Sequence, residues 1–278
     1  MDNFIVFELL SEGNFCNIYK GINKNNNQTV IIKKINNNNK ILFKLLKREY
    51  NFYVYLKDCY KIPKCLYYNK NDILVFEKKG DSLDILFERY NRYFNKKTIY
   101  FLYYKSLEIL KDIHNLNIIH RDIKPDNFLL EDNELYIIDF AYSDFFNENI
   151  KFNLHLIGTR RYASINNHKG ISQSYRDDLE SLFYSLYYLE HGTLPWFNSE
   201  NDILNIKIQY NWTEDRRCEK KFIDYIKKME FNEKMNYDYW ISKYYRKFNK
   251  INDKLVWEFD RVNIHSVNKT KKIIKINL

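Results

Sequence analysis

A short stretch of the chain brings together side chains that could catalyse a phosphoryl transfer. Asp122 would accept a proton from a hydroxyl group, and Lys124 would neutralise the group in transfer. Asn127 and Asp139 would hold Mg²⁺, which prefers hard oxygen ligands. A single aspartate in a polar turn would indicate only a solvated surface. The joint spacing, with apolar runs on both sides, instead predicts transfer of phosphate from a magnesium nucleotide.

A lysine upstream of this stretch could bind the phosphates of a nucleotide. Lys33 ends the β-branched run 29–33, and a charged residue at such a position is often only an edge charge. In a nucleotide site its ammonium would contact the α- and β-phosphates and pair with a glutamate of the following helix. Glu49 is the only acidic residue between Lys33 and Asp58. We therefore predict an ion pair between Lys33 and Glu49.

The segment before Lys33 is a candidate phosphate-binding loop. It keeps one glycine, Gly13, where the usual loop has three, and Ser11 and Cys16 replace the other two. Backbone N–H groups of such a loop could still face a phosphate. Cys16 could be an oxidisable thiol above the nucleotide, but an inert small side chain is the favoured interpretation. The candidate loop consists of Leu10, Ser11, Glu12, Gly13, Asn14, Phe15, Cys16, Asn17 and Ile18.

Two kinds of hydrophobic pattern indicate the elements that position these side chains. β-Branched and aromatic runs predict strands over residues 4–10, 17–20, 29–33 and 73–76. Helical spacing of apolar residues predicts helices over residues 41–56, 98–117, 177–190, 213–229 and 237–249. Strands followed by helices are typical of the α+β class. We expect one domain with a small β-rich N-terminal lobe (1–79), a larger helical C-terminal lobe (80–262) and a short basic segment (263–278).

The composition excludes several classes of protein. The hydrophobic fraction of 45% over 278 residues is too high for a disordered chain. No apolar run approaches the roughly 18 residues of a membrane span, and the N-terminus has no basic leader followed by an apolar stretch. We expect a protein of the cytosol or nucleus that makes no membrane contact.

The four cysteines of the chain are Cys16, Cys59, Cys65 and Cys218. We expect their thiols to be reduced, and a disulfide or metal role for Cys59 and Cys65 is the lesser alternative.

The net charge of +9 leaves the partner open. A basic balance can indicate nucleic acid, anionic lipid or acidic protein substrates. Lysine is spread along the chain beside Asn, Tyr and Ile, which favours a solvated basic surface over a dedicated site. No aromatic-basic module or groove-reading motif accompanies the charge, so a nucleic-acid partner is not expected. We expect a monomer whose partners are protein substrates.

Three further motifs resemble those of the casein kinase 1 family of serine/threonine kinases. They are Gly158-Thr-Arg-Arg-Tyr-Ala-Ser-Ile-Asn166, Asp177-Asp-Leu-Glu-Ser-Leu182 and Gly192-Thr-Leu-Pro-Trp196. The tripeptide Ser-Ile-Asn, where most kinases have Ala-Pro-Glu, is specific to that group. The resemblance extends over residues 4–260 and implies the two-lobe protein kinase fold, with ATP and Mg²⁺ as cofactors.

The resemblance also implies roles for single residues. Asp122 would be the catalytic base, and Asp178 would anchor the catalytic loop from a central helix. Arg161 would bind an anion of acidic or already phosphorylated substrates. The adenine of ATP would lie among Ile18, Ile31 and Leu129, beside the gatekeeper Phe76 and a hinge from Glu77 to Lys79.

Two functions remain open at this point. One is an active serine/threonine kinase, and the other is a pseudokinase that serves as a nucleotide- or protein-binding scaffold. Ala141, where the family has glycine, and the glycine-poor loop favour the scaffold. Retention of every charged or polar group of the site favours activity; these are Lys33, Glu49, Asp122, Lys124, Asn127 and Asp139. Between Ala141 and Gly158 the only hydroxyl residues are Tyr142 and Ser143, so we predict activity without phosphorylation of this segment.

Overall fold

A computed structural model describes residues 3–13, 15–36, 39–69, 72–199, 202–212, 214–215 and 219–258. The described residues form two compact units. The first comprises residues up to Gly80 together with Tyr136–Ala141, and the second comprises Asp81–Leu135 and the residues from Tyr142 onward. Asn14, Cys218 and the predicted basic segment 263–278 lie outside the described residues. The lobe boundaries at 79 and 262 stay predictions.

An antiparallel sheet of five strands forms most of the first unit. Its strands are β1 (Phe4–Glu12), β2 (Cys16–Asn23), β3 (Thr29–Ile35), β4 (Cys65–Tyr68) and β5 (Ile73–Glu77), in the order β1-β2-β3-β5-β4. Side chains alternate between the two faces, so Val30 and Ile32 of β3 are fully buried while Ile31 and Lys33 lie on the other face. A Cβ on Gly21 would come within 2.6 Å of the Ile5 carbonyl oxygen, so only glycine fits there. The sheet thus presents Lys33 on the face opposite its core.

One helix, α1 (Lys40–Tyr55), packs against β4 and β5 of this sheet. It begins after Asn39, whose side-chain oxygen accepts a hydrogen bond from the Ile41 N–H at 2.8 Å. Its buried stripe consists of Leu42, Leu46, Glu49, Phe52 and Tyr53. A carboxylate inside an otherwise apolar stripe needs a cationic or hydrogen-bonding partner.

The second unit is mainly helical. Its helices are α2 (Leu83–Arg89), α3 (Lys96–Asn115), α4 (Ile165–His168), α5 (Tyr175–His191), α6 (Ile203–Gln209), α7 (Lys220–Lys228) and α8 (Tyr237–Asn249). Short strands accompany them: β6 (Asp81–Ser82), β7 (Ile118–Ile119), β8 (Phe128–Glu131), β9 (Glu134–Ile137, of which Tyr136 and Ile137 belong to the first unit) and β10 (Asp144–Phe145). β6 pairs with β8, and β7 pairs with β10.

The core of the second unit is rich in aromatic rings. Tyr103 of α3 stacks on Tyr244 of α8 with ring centroids 4.3 Å apart. Phe183 of the central helix α5 is fully buried and meets Trp212 edge-on at 4.8 Å. The left-handed residue Gly192, with φ +73°, ends α5.

The structure confirms the α+β class, with a small β-rich part and a larger helical part. The helix predicted over 213–229 begins too early, because α7 starts only after Glu219. Ahead of it, Trp212 is buried and Asp215 accepts hydrogen bonds from the hydroxyls of Tyr187 and Tyr210. These contacts belong to a loop. Helix α6, which precedes this loop, was not predicted from the sequence. No described helix is both long enough and apolar enough to cross a bilayer.

Candidate active site

In the first unit, one lysine ammonium lies between two carboxylates. Lys33 Nζ is 2.9 Å from Glu49 Oε2 and 3.0 Å from Asp139 Oδ1. The Glu49 side chain is almost completely buried, as is most of Lys33. The predicted Lys33–Glu49 pair is therefore present. The structure adds Asp139, which is the predicted metal ligand, to the same ammonium.

The charges of this cluster are strongly coupled. Burial raises the pKa of Glu49 to about 7; Lys33 acts against this rise, and Asp139 adds to it. Burial by itself would lower the pKa of Lys33, but Asp139 and Glu49 together raise it well above its ordinary value. Lys33 consequently stays protonated while two carboxylates compete for it. A cation bound to Asp139 would relieve this competition.

Asp139 is held by a tyrosine that the sequence analysis did not identify. Its φ of +68° lies in the left-handed region, which is unusual for a residue other than glycine. The Asp139 N–H donates to the Tyr53 hydroxyl at 3.3 Å, and Phe140 meets the Tyr53 ring edge-on at 5.4 Å. Tyr53 lies four residues after Glu49, so both face the same side of α1. That spacing was the one available sequence signal for its role.

In the second unit, Asp122 lies at the centre of a hydrogen-bond network. Its Oδ1 accepts from the Thr159 N–H at 2.7 Å, and its Oδ2 lies 3.2 Å from Lys124 Nζ and 3.3 Å from Asn127 Nδ2. Lys124 Nζ also donates to Thr159 Oγ1 at 3.1 Å. The structure therefore brings together Asp122, Lys124 and Asn127 and adds Thr159, which the sequence analysis did not single out.

Glycine is required immediately before Thr159. Gly158 has a φ of +82°, and a Cβ there would lie 2.4 Å from the Arg121 carbonyl oxygen and 3.0 Å from Asp122 Oδ1. This close approach lets the Thr159 N–H reach the Asp122 carboxylate.

A buried carboxylate of α5 anchors the segment that carries Asp122. Asp178 accepts hydrogen bonds from the His120 N–H at 2.7 Å and the Arg121 N–H at 2.8 Å, and its Oδ2 lies 3.0 Å from His114 Nε2. Burial by itself would raise the pKa of Asp178, but the hydrogen bonds and charges of His114 and His120 lower it below its ordinary value. Arg121 has a φ of +67°, so the anchor holds the chain at a strained residue.

The donor set suits Mg²⁺ bound with a nucleotide. Asn127 Nδ2 donates to the Asp122 carbonyl oxygen at 2.8 Å, which directs the carboxamide oxygen away from that contact. Asp139 supplies carboxylate oxygens. Within the described residues no three His, Cys, Asp or Glu side chains cluster as a metal site. The oxygens of Asn127 and of Asp139 are of the kind that Mg²⁺ prefers, and the assignment of both residues as its ligands stays a prediction.

Four of the predicted adenine-site residues belong to the sheet of the first unit: Ile18, Ile31, Phe76 and Glu77. Ile31 of β3 is the register partner of Phe76 on β5, and Ile18 of β2 is the partner of Lys33. Phe76 is buried and its ring packs against Tyr53 with centroids 4.6 Å apart. Their contact with adenine stays a prediction.

Glu77 and the remaining predicted adenine-site residues have polar partners or partial burial. In the first unit, Glu77 Oε1 accepts from the Lys64 N–H at 2.9 Å, and Lys79 Nζ lies 4.7 Å from the Tyr136 ring centroid. In the second unit, Leu129 is half-buried on β8. The hinge and adenine roles of these residues also stay predictions.

Both backbone polar groups of Gly13, in the candidate phosphate loop, are already hydrogen-bonded within the protein. The Gly13 N–H donates to the Cys16 carbonyl oxygen at 3.1 Å, and Asn36 Nδ2 donates to the Gly13 carbonyl oxygen. Leu10, Ser11, Glu12 and Phe15 are exposed, while Cys16 and Asn17 are half-buried. Burial raises the pKa of the Cys16 thiol although Lys33 lowers it. The thiol is thus poorly ionised, in line with the inert interpretation.

Arg161 is exposed, and a buried lysine contacts the backbone beside it. The Arg161 guanidinium lies 4.2 Å from the Phe197 ring centroid. Lys207 Nζ, on α6, donates to the carbonyl oxygens of Ala163 at 2.5 Å and Arg160 at 3.4 Å. Burial lowers the pKa of Lys207 to about 7, with Glu180 opposing and Arg160 adding to the shift. Lys207 could not be predicted from the sequence, because its role comes only from tertiary contacts.

Comparison with known proteins now decides the family. A family model of the protein kinase domain matches residues 4–237. The chain belongs to the protein kinase family. It is 33% identical over 258 residues to casein kinase I homolog 2 of Schizosaccharomyces pombe, an alignment that covers 82% of this kinase chain and 58% of that protein. The chain thus spans less than two thirds of that relative's length. The match confirms the resemblance to casein kinase 1, and kinases of this family typically use ATP and Mg²⁺.

Proposed function

We propose that this chain is a serine/threonine protein kinase that transfers the γ-phosphate of ATP to protein hydroxyl groups. The observation that carries the proposal is the surroundings of Asp122. Its carboxylate is buried, and Thr159, Lys124 and Asn127 hold it by contacts of 2.7 to 3.3 Å. A general base must be oriented toward the proton it removes, and this network provides the orientation.

The chain's own groups divide the work of the reaction. Asp122 takes the proton of the substrate hydroxyl, while Lys124 offers positive charge beside the reacting oxygen. Lys33 would orient the α- and β-phosphates, and Asn127 and Asp139 would hold the metal. Bound ATP and Mg²⁺ supply the phosphoryl group and much of the charge neutralisation. Asp178 keeps the Arg121–Asp122 backbone in place.

Replacement of the base tests the proposal directly. We expect Asp122→Asn to reduce transfer of radiolabelled phosphate to casein by about 10²- to 10⁴-fold, the usual contribution of a general base. The measurement is incorporation at equal protein concentration, with circular dichroism to show that both proteins are folded. Equal incorporation by both proteins, or none by either, would contradict the catalytic assignment.

The second candidate function is a pseudokinase scaffold, and the hydrogen bond between Gly13 and Cys16 in the candidate phosphate loop favours it. The Gly13 N–H already donates to Cys16 and does not face a phosphate in this arrangement. A scaffold would gain thermal stability from ADP with Mg²⁺ but would transfer no phosphate. Stabilisation together with transfer that depends on Asp122 would favour the kinase.

We further propose that the substrates carry acidic or phosphorylated residues near the acceptor. The support is Arg161, whose exposed guanidinium is set against Phe197 beside the Thr159 backbone segment. Arg side chains favour anions that accept two hydrogen bonds. A peptide array that compares acidic, phosphorylated and neutral contexts tests this preference, and Arg161→Ala should reduce it. Equal phosphorylation of all three contexts would argue against it.

A further inference from the structure

A basic cavity lies along α8, apart from the residues assigned to catalysis. Its volume is about 270 Å³, and its lining consists of Tyr239, Lys243, Arg246, Lys247 and Lys250. Four of these five side chains are cationic, and none of the five is acidic. Four positive charges on one helix are more than an even distribution of the net charge of +9 over 278 residues would place there.

Most of this basic face lies away from the side of α8 that packs on α3. The lining residues recur at intervals of three and four, which places them on one side of α8. Trp240 and Tyr244 are buried on another side, where Tyr244 stacks on Tyr103 of α3. Tyr244 packs α8 on α3, and among the lining residues Lys247 also meets α3, with its Nζ 4.7 Å from the ring centroid of Tyr100.

The charges of the cavity are only partly neutralised from within the chain. Both carboxylate oxygens of Glu219 lie 2.7 Å from Lys247 Nζ. Within the described residues, Lys243, Arg246 and Lys250 have no ion pair. Burial lowers the pKa of Lys243, and the charges of Lys247 and Lys221 lower it further although Glu219 acts in the opposite direction. An anion in the cavity would relieve this repulsion between like charges.

One of the cations is also held in place before any ligand binds. Lys243 Nζ lies 3.9 Å from the ring centroid of Trp240, and Trp240 itself is buried. A cation fixed on an aromatic face loses less conformational freedom on binding than a fully mobile lysine.

We propose that this cavity binds a segment of a partner protein that carries phosphoserine or phosphothreonine. Arginine and lysine together suit a phosphate group. The guanidinium of arginine donates two parallel hydrogen bonds to it, and the ammonium of lysine contributes a compact positive charge. The lining spans eleven helical steps, about 17 Å at 1.5 Å per residue, which is the length of about five extended peptide residues.

A nucleic-acid strand fits these features less well. Proteins that bind single strands stack successive bases on several aromatic side chains along a basic groove. Among the lining residues only Tyr239 is aromatic. The proposal concerns binding without nucleotide, so it succeeds or fails independently of the proposed kinase activity.

The test is a fluorescence anisotropy titration of the full chain. The probe is a labelled ten-residue Gly/Ala peptide with two phosphoserines, and the same peptide without phosphate is the first control. We expect Lys243→Glu with Arg246→Glu to weaken phosphopeptide binding at least about tenfold, because two charge-assisted hydrogen bonds become repulsive contacts. Lys44→Glu with Lys47→Glu is the matched variant, since both are exposed lysines of another helix and the change in charge is the same. That variant should change the affinity less than about twofold.

Further arms distinguish this cavity from a second anion site and from a nucleic-acid site. Loss of phosphopeptide binding in Arg161→Ala, together with unchanged binding in the α8 variant, would overturn the proposal, because it would place the phosphate at Arg161 and not in this cavity. A twelve-nucleotide oligothymidylate that binds more tightly than the phosphopeptide would overturn it as well. If the glutamate variant fails to fold by circular dichroism, Lys243→Gln with Arg246→Gln replaces it. Unchanged binding by that folded protein would also reject the site.

Discussion

The Lys33 ammonium touches two carboxylates at nearly equal distances, 2.9 Å to Glu49 and 3.0 Å to Asp139. The sequence predicted the first contact because Glu49 is the only acidic residue available before Asp58. The second contact joins residues 106 positions apart, and no local pattern encodes such a distance. Residues whose role depends on a nearby motif could be predicted, whereas Thr159, Tyr53 and Lys207 acquire theirs through tertiary contacts.

Lys207 allows a prediction at the scale of one residue. Its folded pKa, about 7, is lowered from an ordinary 10.5, so below pH 7 the buried ammonium opposes folding. The unfolded chain binds more protons between these values, and Lys207 therefore makes folding more favourable as the pH rises above 7. We expect the free energy of unfolding of the wild type, relative to Lys207→Met, to increase by on the order of 2 kcal/mol between pH 7 and pH 9.

Urea denaturation at several pH values measures this difference. The neighbouring His168 does not titrate in this range, because burial and the charge of Lys207 lower its pKa to about 4. Lys169→Met provides the control, since it removes an exposed lysine at the position next to His168. A difference between wild type and Lys207→Met that is constant with pH would show that burial does not perturb Lys207.

At the scale of elements, the period of the hydrophobic pattern was the dependable signal. It predicted α8 over 237–249 and placed a helix over 41–56, where α1 runs from Lys40 to Tyr55. It was wrong only at the start of the helix predicted over 213–229, since α7 begins at Lys220. Ahead of it, Trp212 and Asp215 contact α5, and Asp215 also contacts Tyr210. Amphipathic spacing reports a buried face, but it cannot distinguish a helix from a loop fixed by distant partners.

Helix α1 supports a prediction about magnesium. It presents Glu49 to Lys33, so that the ammonium is shared between Glu49 and Asp139. In Glu49→Gln the ammonium would remain on Asp139, where it competes with a metal cation. We expect a several-fold rise in the Mg²⁺ concentration for half-maximal activity, because a tenfold change corresponds to only about 1.4 kcal/mol.

A magnesium titration of kinase activity at saturating ATP measures this effect. Asp58→Asn is the control, because it removes an exposed carboxylate just beyond the end of α1. A lower maximal rate with an unchanged magnesium requirement would indicate that Glu49 acts only on Lys33 and not on the metal site.

The segment after Asp139 supports a second prediction at this scale. Activation segments that require phosphorylation are ordered by new pairs between arginine and phosphate. Here Arg121 already donates from Nε to the Tyr142 carbonyl oxygen at 2.6 Å, and its guanidinium lies 3.3 Å from Asp144 Oδ2. Ser143 is buried and donates to the His120 carbonyl oxygen, so its hydroxyl is not accessible to a kinase.

We therefore expect full activity from protein that carries no phosphate on this segment. The measurement compares activity before and after phosphatase treatment, with mass spectrometry to confirm the absence of phosphate. Asp144→Asn should lower activity several-fold, since it removes the carboxylate that neutralises Arg121 and such a contact contributes about 1 kcal/mol. Loss of activity on dephosphorylation would refute the prediction.

For the whole chain, the net charge of +9 raises the question of what the basic surface attracts. Long-range attraction between opposite charges is screened over about 8 to 10 Å at physiological salt, so its contribution depends on ionic strength. If the charge draws acidic substrates to the kinase, kcat/KM for an acidic peptide should fall by about tenfold between 50 and 500 mM KCl. For a neutral peptide of the same length, kcat/KM should change by less than about twofold over the same range.

The charge of the α8 cavity can be separated from this general effect. Lys243→Glu with Arg246→Glu and the matched Lys44→Glu with Lys47→Glu each change the net charge by the same amount. If attraction is a property of the whole surface, both variants should reduce the salt dependence of kcat/KM equally. A reduction confined to the α8 variant would instead mean that acidic substrates approach through that cavity. An equal fall of kcat/KM with salt for acidic and neutral peptides would refute electrostatic attraction of substrate altogether.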